Sequence, residues 1–112
     1  MATAYKVLGQ ANPAATTVTT LYTVPSATEA VVSSVSIANL TATAATFRII
    51  VQKSADVSAT ILSKQYIGYE ITVGASDTTI ITVGLTLATG DVIKVYGSVA
   101  DLAFQAFGSE IA

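Results

Sequence analysis

The sequence predicts an all-β chain, folded as a compact antiparallel β-sandwich, jelly-roll or immunoglobulin-like, of seven to nine short strands. Three observations carry this prediction. Apolar and polar residues alternate over short runs, and no helical period competes with them. Val, Ile and Thr, which fit a pleated and half-buried surface, dominate those runs. Turn formers punctuate the chain at Pro25-Ser26, Gly74-Ala75-Ser76 and Gly90-Asp91. At 112 residues the chain suffices for one domain and not for two, so 1–112 reads as a single sandwich.

The first run, "TAYKVLGQ", sets Tyr5 and Val7 on one face and Lys6 and Leu8 on the other. It ends at Gly9 and "ANPAATT". Pro13 has no amide hydrogen to give a ladder, so pairing should break there. Residues 1–12 therefore read as an N-terminal arm, free to pair with its own sheet or with a neighbour's open edge. Next, "TVTTLYTV" turns Val18, Thr20, Tyr22 and Val24 one way and Thr19, Leu21 and Thr23 the other. After Pro25, "EAVVSSVSIAN" offers Val31, Val35 and Ile37 to a core, backed by Ser34, Ser36 and Ala38. Small uncharged residues on that second face let another surface approach closely.

In "ATFRIIVQK" the alternation sends Phe47, Ile49 and Val51 inward and Arg48, Ile50 and Gln52 outward. "SADVSAT" has no pattern and reads as loop. "KQYIGYEITV" groups Ile67, Tyr69 and Ile71, and "DTTIITV" follows the Gly74 turn. "LTLAT" and "VIKVYGS" flank the tight turn at Gly90-Asp91. The last run, "LAFQAFGSEI", sets Leu102 and Phe104 on one face with Gln105 and Phe107 beside them. Its alanines would suit a short helix, but the runs before it argue for strand.

Composition restricts function. Charged residues make up 11% of the chain and hydrophobic ones 52%, whereas soluble domains carry about 25% charged residues. A monomer of this size exposes about 5,800 Å². Five basic and seven acidic side chains must cover that surface, so part of it is expected to be buried against other subunits. The basic residues Lys6, Arg48, Lys53, Lys64 and Lys94 are scattered, which argues against nucleic-acid binding. No uncharged stretch is apolar enough for a membrane helix, and "MATAYKVLGQ" lacks the pattern of a signal peptide. No membrane partner is expected.

Chemistry finds little to work with. The chain has no His and no Cys, so neither a Ser–His–Asp nor a Cys–His arrangement can exist. No "GxSxG" elbow or "SxxK" pair appears. Glu29, Asp56, Glu70, Asp77, Asp91, Asp101 and Glu110 fall mostly at turns and strand ends, where carboxylates are ordinarily solvated. No calcium loop and no phosphate-cradling glycine motif is present. No catalytic residue, metal or cofactor is therefore expected. The triplet "NLT" at Asn39 matches a glycosylation acceptor. Arg48, the single arginine, reads either as a solvated outward residue or as an ion-pair partner for a neighbouring subunit's carboxylate. Of the eight aromatics most should be core, leaving two or three for an interface. The candidate interface set is Tyr5, Lys6, Val7, Leu8, Arg48 and Phe107.

Several phrases in order, "YKVLGQ", "PAATT", "LYTVP", "VVSSVSIAN", "AATFRI" and "LATGDVIKVYGS…LAFQAFGSEI", resemble a family of small virion structural proteins of tailed bacteriophages, including marine and cyanobacterial phages. The resemblance spans nearly the whole chain and brings no catalytic or cofactor residues with it. It implies a non-enzymatic protein assembled in the host cytoplasm into the virion, with copies of itself and other virion proteins as partners. A capsid decoration or cement protein is the expected role, ahead of a tail, neck or fibre component. A surface filament subunit would need an export signal, and a carbohydrate-binding module would be expected to show more aromatic residues.

Overall fold

A computed structural model describes residues 2–112. Among these, eight strands follow one another: β1 (Thr3–Ala11), β2 (Thr19–Thr23), β3 (Glu29–Asn39), β4 (Ala45–Gln52), β5 (Tyr66–Val73), β6 (Thr78–Leu87), β7 (Val92–Gly97) and β8 (Leu102–Ile111). Two single-turn 3₁₀ helices, Ser54–Asp56 and Ser63–Gln65, lie between β4 and β5. No helix among the described residues is long and apolar enough to cross a membrane.

The strands form two four-stranded antiparallel sheets. Sheet A has the order β1-β8-β3-β6 and sheet B the order β2-β7-β4-β5. First pairs with last: β1 with β8, β2 with β7, β3 with β6, β4 with β5. The chain is thus one long hairpin wrapped over two layers, the topology of an eight-stranded jelly roll rather than an immunoglobulin domain. The core lies between the sheets. Val32, Val35 and Ile37 of β3 and Phe104 and Ala106 of β8 face Phe47 and Ile49 of β4 and Ile93 and Val95 of β7. Phe47 and Phe104 meet edge to face across the layers, ring centroids 6.2 Å apart. Each such large side chain withdrawn from water contributes about 1.5–3 kcal/mol.

The expected arm is an internal element. Residues Thr3–Ala11 pair along their length with β8 of the same chain, and Ala2 and Ala112 exchange two backbone hydrogen bonds beyond the ladder. Leu8 and Ala11 pack against the core. The break at Pro13 does occur, but it marks the crossover from sheet A to sheet B.

Strict alternation fails at β-bulges, and each failure corrects an expected facing. Leu21 is an extra residue between Thr20 and Tyr22 in the β2·β7 register, so Leu21 and Tyr22 are both buried. Ser33 is extra opposite β8. That inserts a phase change into β3: Ala30 and Val32 face inward before it, Val35 and Ile37 after it, and Val31 turns out to the surface instead of joining the core. In β5, Tyr69 and Glu70 together oppose Arg48. Ile71 consequently points to the core while Ile67 and Tyr69 are exposed. A single inserted residue reverses the facing of all that follow, because the side-chain period is two.

Ile50 and Gln52 also depart from expectation. Both leave the main core as the alternation requires, yet both are fully buried. The segment between β4 and β5 folds over this side of sheet B. Gln52 Nε2 donates to Ser58 O at 3.1 Å and to Gln65 Oε1 at 3.0 Å, while its own Oε1 accepts from Ser58 N at 3.3 Å. Gln65 Oε1 also accepts from Leu62 N at 2.9 Å. The glutamines replace the ladder that this patternless segment cannot form.

Candidate functional site

The outer face of sheet A gathers three of the six candidate interface residues. Tyr5 and Val7 project from β1, and Phe107 from β8. Register sets them in two adjacent rows: Tyr5, Ser109, Val31 and Thr86 in one, and Val7, Phe107, Ser34 and Thr82 in the next. Gln10, Gln105, Ser36 and Ile80 make a third row, tied by a 2.9 Å bond from Gln10 Nε2 to Gln105 Oε1. Tyr5 is 86% exposed, Ile80 67% and Val7 47%. Tyr5, Lys6, Val31, Ser33, Phe107, Gly108 and Ser109 border a shallow hollow.

This face carries almost no charge. The four strands contain three charged residues, Lys6, Glu29 and Glu110. Glu29 is the first residue of β3, at the margin. Lys6 and Glu110 turn the other way, toward sheet B, and satisfy each other: Lys6 Nζ lies 2.6 Å from Glu110 Oε1. The buried Tyr22 of β2 donates its hydroxyl hydrogen to Glu110 Oε2 at 2.5 Å. Lys6 first and Tyr22 second hold the Glu110 carboxyl below its usual range, against the opposing effect of burial. Burial, with Glu110 adding to it, pushes the Tyr22 phenol up. Leu8 therefore packs against the core, while Lys6, paired with Glu110 but half exposed, also borders the hollow beside Tyr5.

Arg48 lies on the opposite sheet. It projects from the outer side of β4 between two tyrosine rings, 4.5 Å from the centroid of Tyr69 and 4.2 Å from that of Tyr96. Its Nη2 contacts Glu70 Oε1 at 2.6 Å, and Thr46 Oγ1 donates to Glu70 Oε2 at 2.9 Å. The Glu70 hydrogen bond holds the guanidinium charged, and Arg48, then Thr46, keep the Glu70 carboxyl below its usual range. Glu70 reaches this place because the β5 bulge gives it a left-handed backbone, φ 51°, a conformation costing a non-glycine residue about 1–2 kcal/mol. Arg48 thus has its carboxylate within its own chain. The expectation of a cross-subunit partner is not needed to explain it. Arg48 Nε finds no acceptor, and the two ring faces supply the negative potential instead.

The remaining sequence candidates are occupied by structure. Asn39 of "NLT" is buried, and its Nδ2 donates to Thr43 O at 2.9 Å and Gly74 O at 3.1 Å while Oδ1 accepts from Thr41. A glycan cannot be attached to that amide in the folded chain. Asp91 caps its turn by accepting from Ser54 N and Ala88 N, both at 2.9 Å. Among the described residues no three His, Cys, Asp or Glu side chains converge as a metal site would require.

Two surface residues escaped sequence reasoning. Val31 was hidden by the bulge at Ser33, for which the pair of serines gives no signal. Ile80 sits inside "TTIITV", where consecutive isoleucines conceal which one faces out. Tyr69 and Tyr96 become neighbours of Arg48 through the pairing of β4 with both β5 and β7, which no local pattern announces. Comparison of the chain with protein-family models, curated proteins and solved structures finds no match.

Proposed function

We propose that this chain is a non-enzymatic structural protein of a tailed-phage virion, a decoration or cement protein on the capsid exterior. The observation that carries the reading is the charge-poor outer face of sheet A, where Tyr5, Val7 and Ile80 stand exposed among small and uncharged polar residues. The phage-protein resemblance of the sequence supplies the kind of partner. The jelly roll itself supports the reading only by analogy, since viral capsid proteins share it with lectins and cupins.

The mechanism is mechanical. Apolar surface buried between neighbours contributes about 25 cal/mol per Å², and a subunit that binds the assembled shell but not its separated parts stabilises the shell by mass action. Tight pairs such as Lys6–Glu110 and Arg48–Glu70 keep each subunit's own charges satisfied, so contacts between subunits need not include ion pairs.

Counting copies in purified particles by quantitative gel, and locating the chain in a particle map, tests this. Copy numbers in the hundreds over the shell are expected. A few copies at a tail or neck would move the protein there, and absence from particles would end the virion reading.

A further inference from the structure

We propose that the hollow between the end of β4 and the start of β5 binds a small oxyanion, a phosphate or a carboxylate, through Lys53, Lys64 and the side-chain amide of Gln65. The inference stands on the residues lining this hollow and does not depend on the virion reading.

The cations come first. Of the five basic residues, Lys6 pairs with Glu110, Arg48 pairs with Glu70, and Lys94 Nζ donates to Ser58 O at 2.8 Å. Among the described residues Lys53 and Lys64 have no such partner. Both line one hollow, with Val51, Asp56, Gln65 and Ile67. They reach it from the two ends of the covering segment, Lys53 just after β4 and Lys64 just before β5. Two lysines against one aspartate give the hollow a positive balance, which draws in anions.

The amide adds a buried donor. Gln65 lines the same hollow and is 5% exposed. Its Oε1 accepts from Gln52 Nε2 at 3.0 Å and from Leu62 N at 2.9 Å. The amide therefore cannot turn over without setting donors against donors. Its Nε2 is left buried and without an acceptor, a state that folded proteins rarely tolerate. That nitrogen has no exposed surface of its own, so an oxygen reaches it as the single-turn helix Ser63–Gln65 adjusts. Ser63 and Lys64 are exposed and leave that turn room to move.

Size and chemistry select the ligand. The hollow holds about 260 Å³, below the about 300 Å³ at which pockets for drug-sized molecules begin. It suits an ion of few atoms. Ammonium and amide hydrogens all donate, so the fitting ligand is one rich in charged acceptor oxygens. Asp56 opposes such an ion and limits its affinity.

Titration of the full chain with inorganic phosphate at constant ionic strength, followed by the NMR signal of the Gln65 side-chain amide, tests this. The signal should move along a saturating curve with a midpoint near about 1 mM. Replacing both lysines, Lys53→Met with Lys64→Met, should raise that midpoint at least about tenfold. Both side chains are exposed, so the melting temperature should hold. Asp56→Asn should lower the midpoint by removing the like charge. Acetate in place of phosphate separates the sources: movement with both assigns any oxyanion, and movement with phosphate alone assigns a phosphoryl group. An amide signal unmoved by either up to about 100 mM would overturn the inference, since water alone would then serve Gln65. A midpoint unchanged in the double lysine variant, or raised by Asp56→Asn, would overturn it too.

Discussion

At the scale of residues, Glu110 shows how one carboxylate joins three strands. Lys6 of β1 and Tyr22 of β2 converge on it from opposite sheets, closing the open end of the sandwich next to the chain termini. Because the folded state holds its pKa below the ordinary value of 4.5, the unfolded chain takes up the proton first as pH falls. The stabilisation is complete above that ordinary value and disappears as pH drops through the lower folded one. Glu110→Gln should therefore cost about 1.5–3 kcal/mol at neutral pH, the worth of a charged hydrogen bond. Urea titrations repeated from pH 7 to pH 3 should show the gap between variant and wild type closing toward the acid end. Glu70, more exposed, should contribute in the same direction but less, because solvent screens its pair with Arg48.

Strand β1 illustrates what an element does beyond its own residues. It covers one edge of β8, seats Leu8 and Ala11 on the core, and brings Lys6 to Glu110. Gly9 permits this, since a Cβ there would stand 2.1 Å from Leu21 O; β1 and β2 cross too closely for a side chain. Removing residues 1–10 would strip the ladder from β8, uncover the core and leave Glu110 without its cation. The truncated chain should melt at least about 10 °C below the full one, a shift matching a loss of a few kcal/mol in a domain of this size. An unchanged melting temperature would mean that β1 is dispensable to the fold.

The whole molecule divides its labour between two faces. The side of sheet B and its covering segment bears Arg48, Lys53, Asp56, Lys64, Glu70, Asp91 and Lys94, while the outer face of sheet A is nearly neutral. The accessible surface, 5668 Å², is close to the about 5,800 Å² expected of a monomer of this mass. The shortage of charge is therefore not met by unusual compactness but is concentrated on one side. The nested pairing of first strand with last also makes nearly all contacts non-local. Folding should be slow for the chain's length, on the order of milliseconds to seconds, as stopped-flow refolding from urea would measure. A microsecond phase accounting for the whole amplitude would contradict that.

The sequence by itself determined the class of fold, most strand positions and the scarcity of charge, because alternation, β-branching and turn residues act over a few neighbours. Val35, Ile37, Phe47, Ile49, Leu102 and Phe104 were legible as core for that reason. So was the sorting of Tyr5 and Val7 to one face of the first strand and Lys6 and Leu8 to the other, though not which face meets the core. Tertiary structure decided what depends on distant partners. It chose the jelly-roll order, joined Thr3–Ala11 to β8, and used bulges at Leu21, Ser33 and Tyr69–Glu70 to turn Val31 out and Ile71 in. It gave Arg48 its carboxylate from Glu70 and buried Gln52 beneath a segment with no pattern of its own. A strand's residues fix that it has two faces; only the sheets packed around it fix which face meets the core, which meets a neighbour, and where an inserted residue exchanges the two.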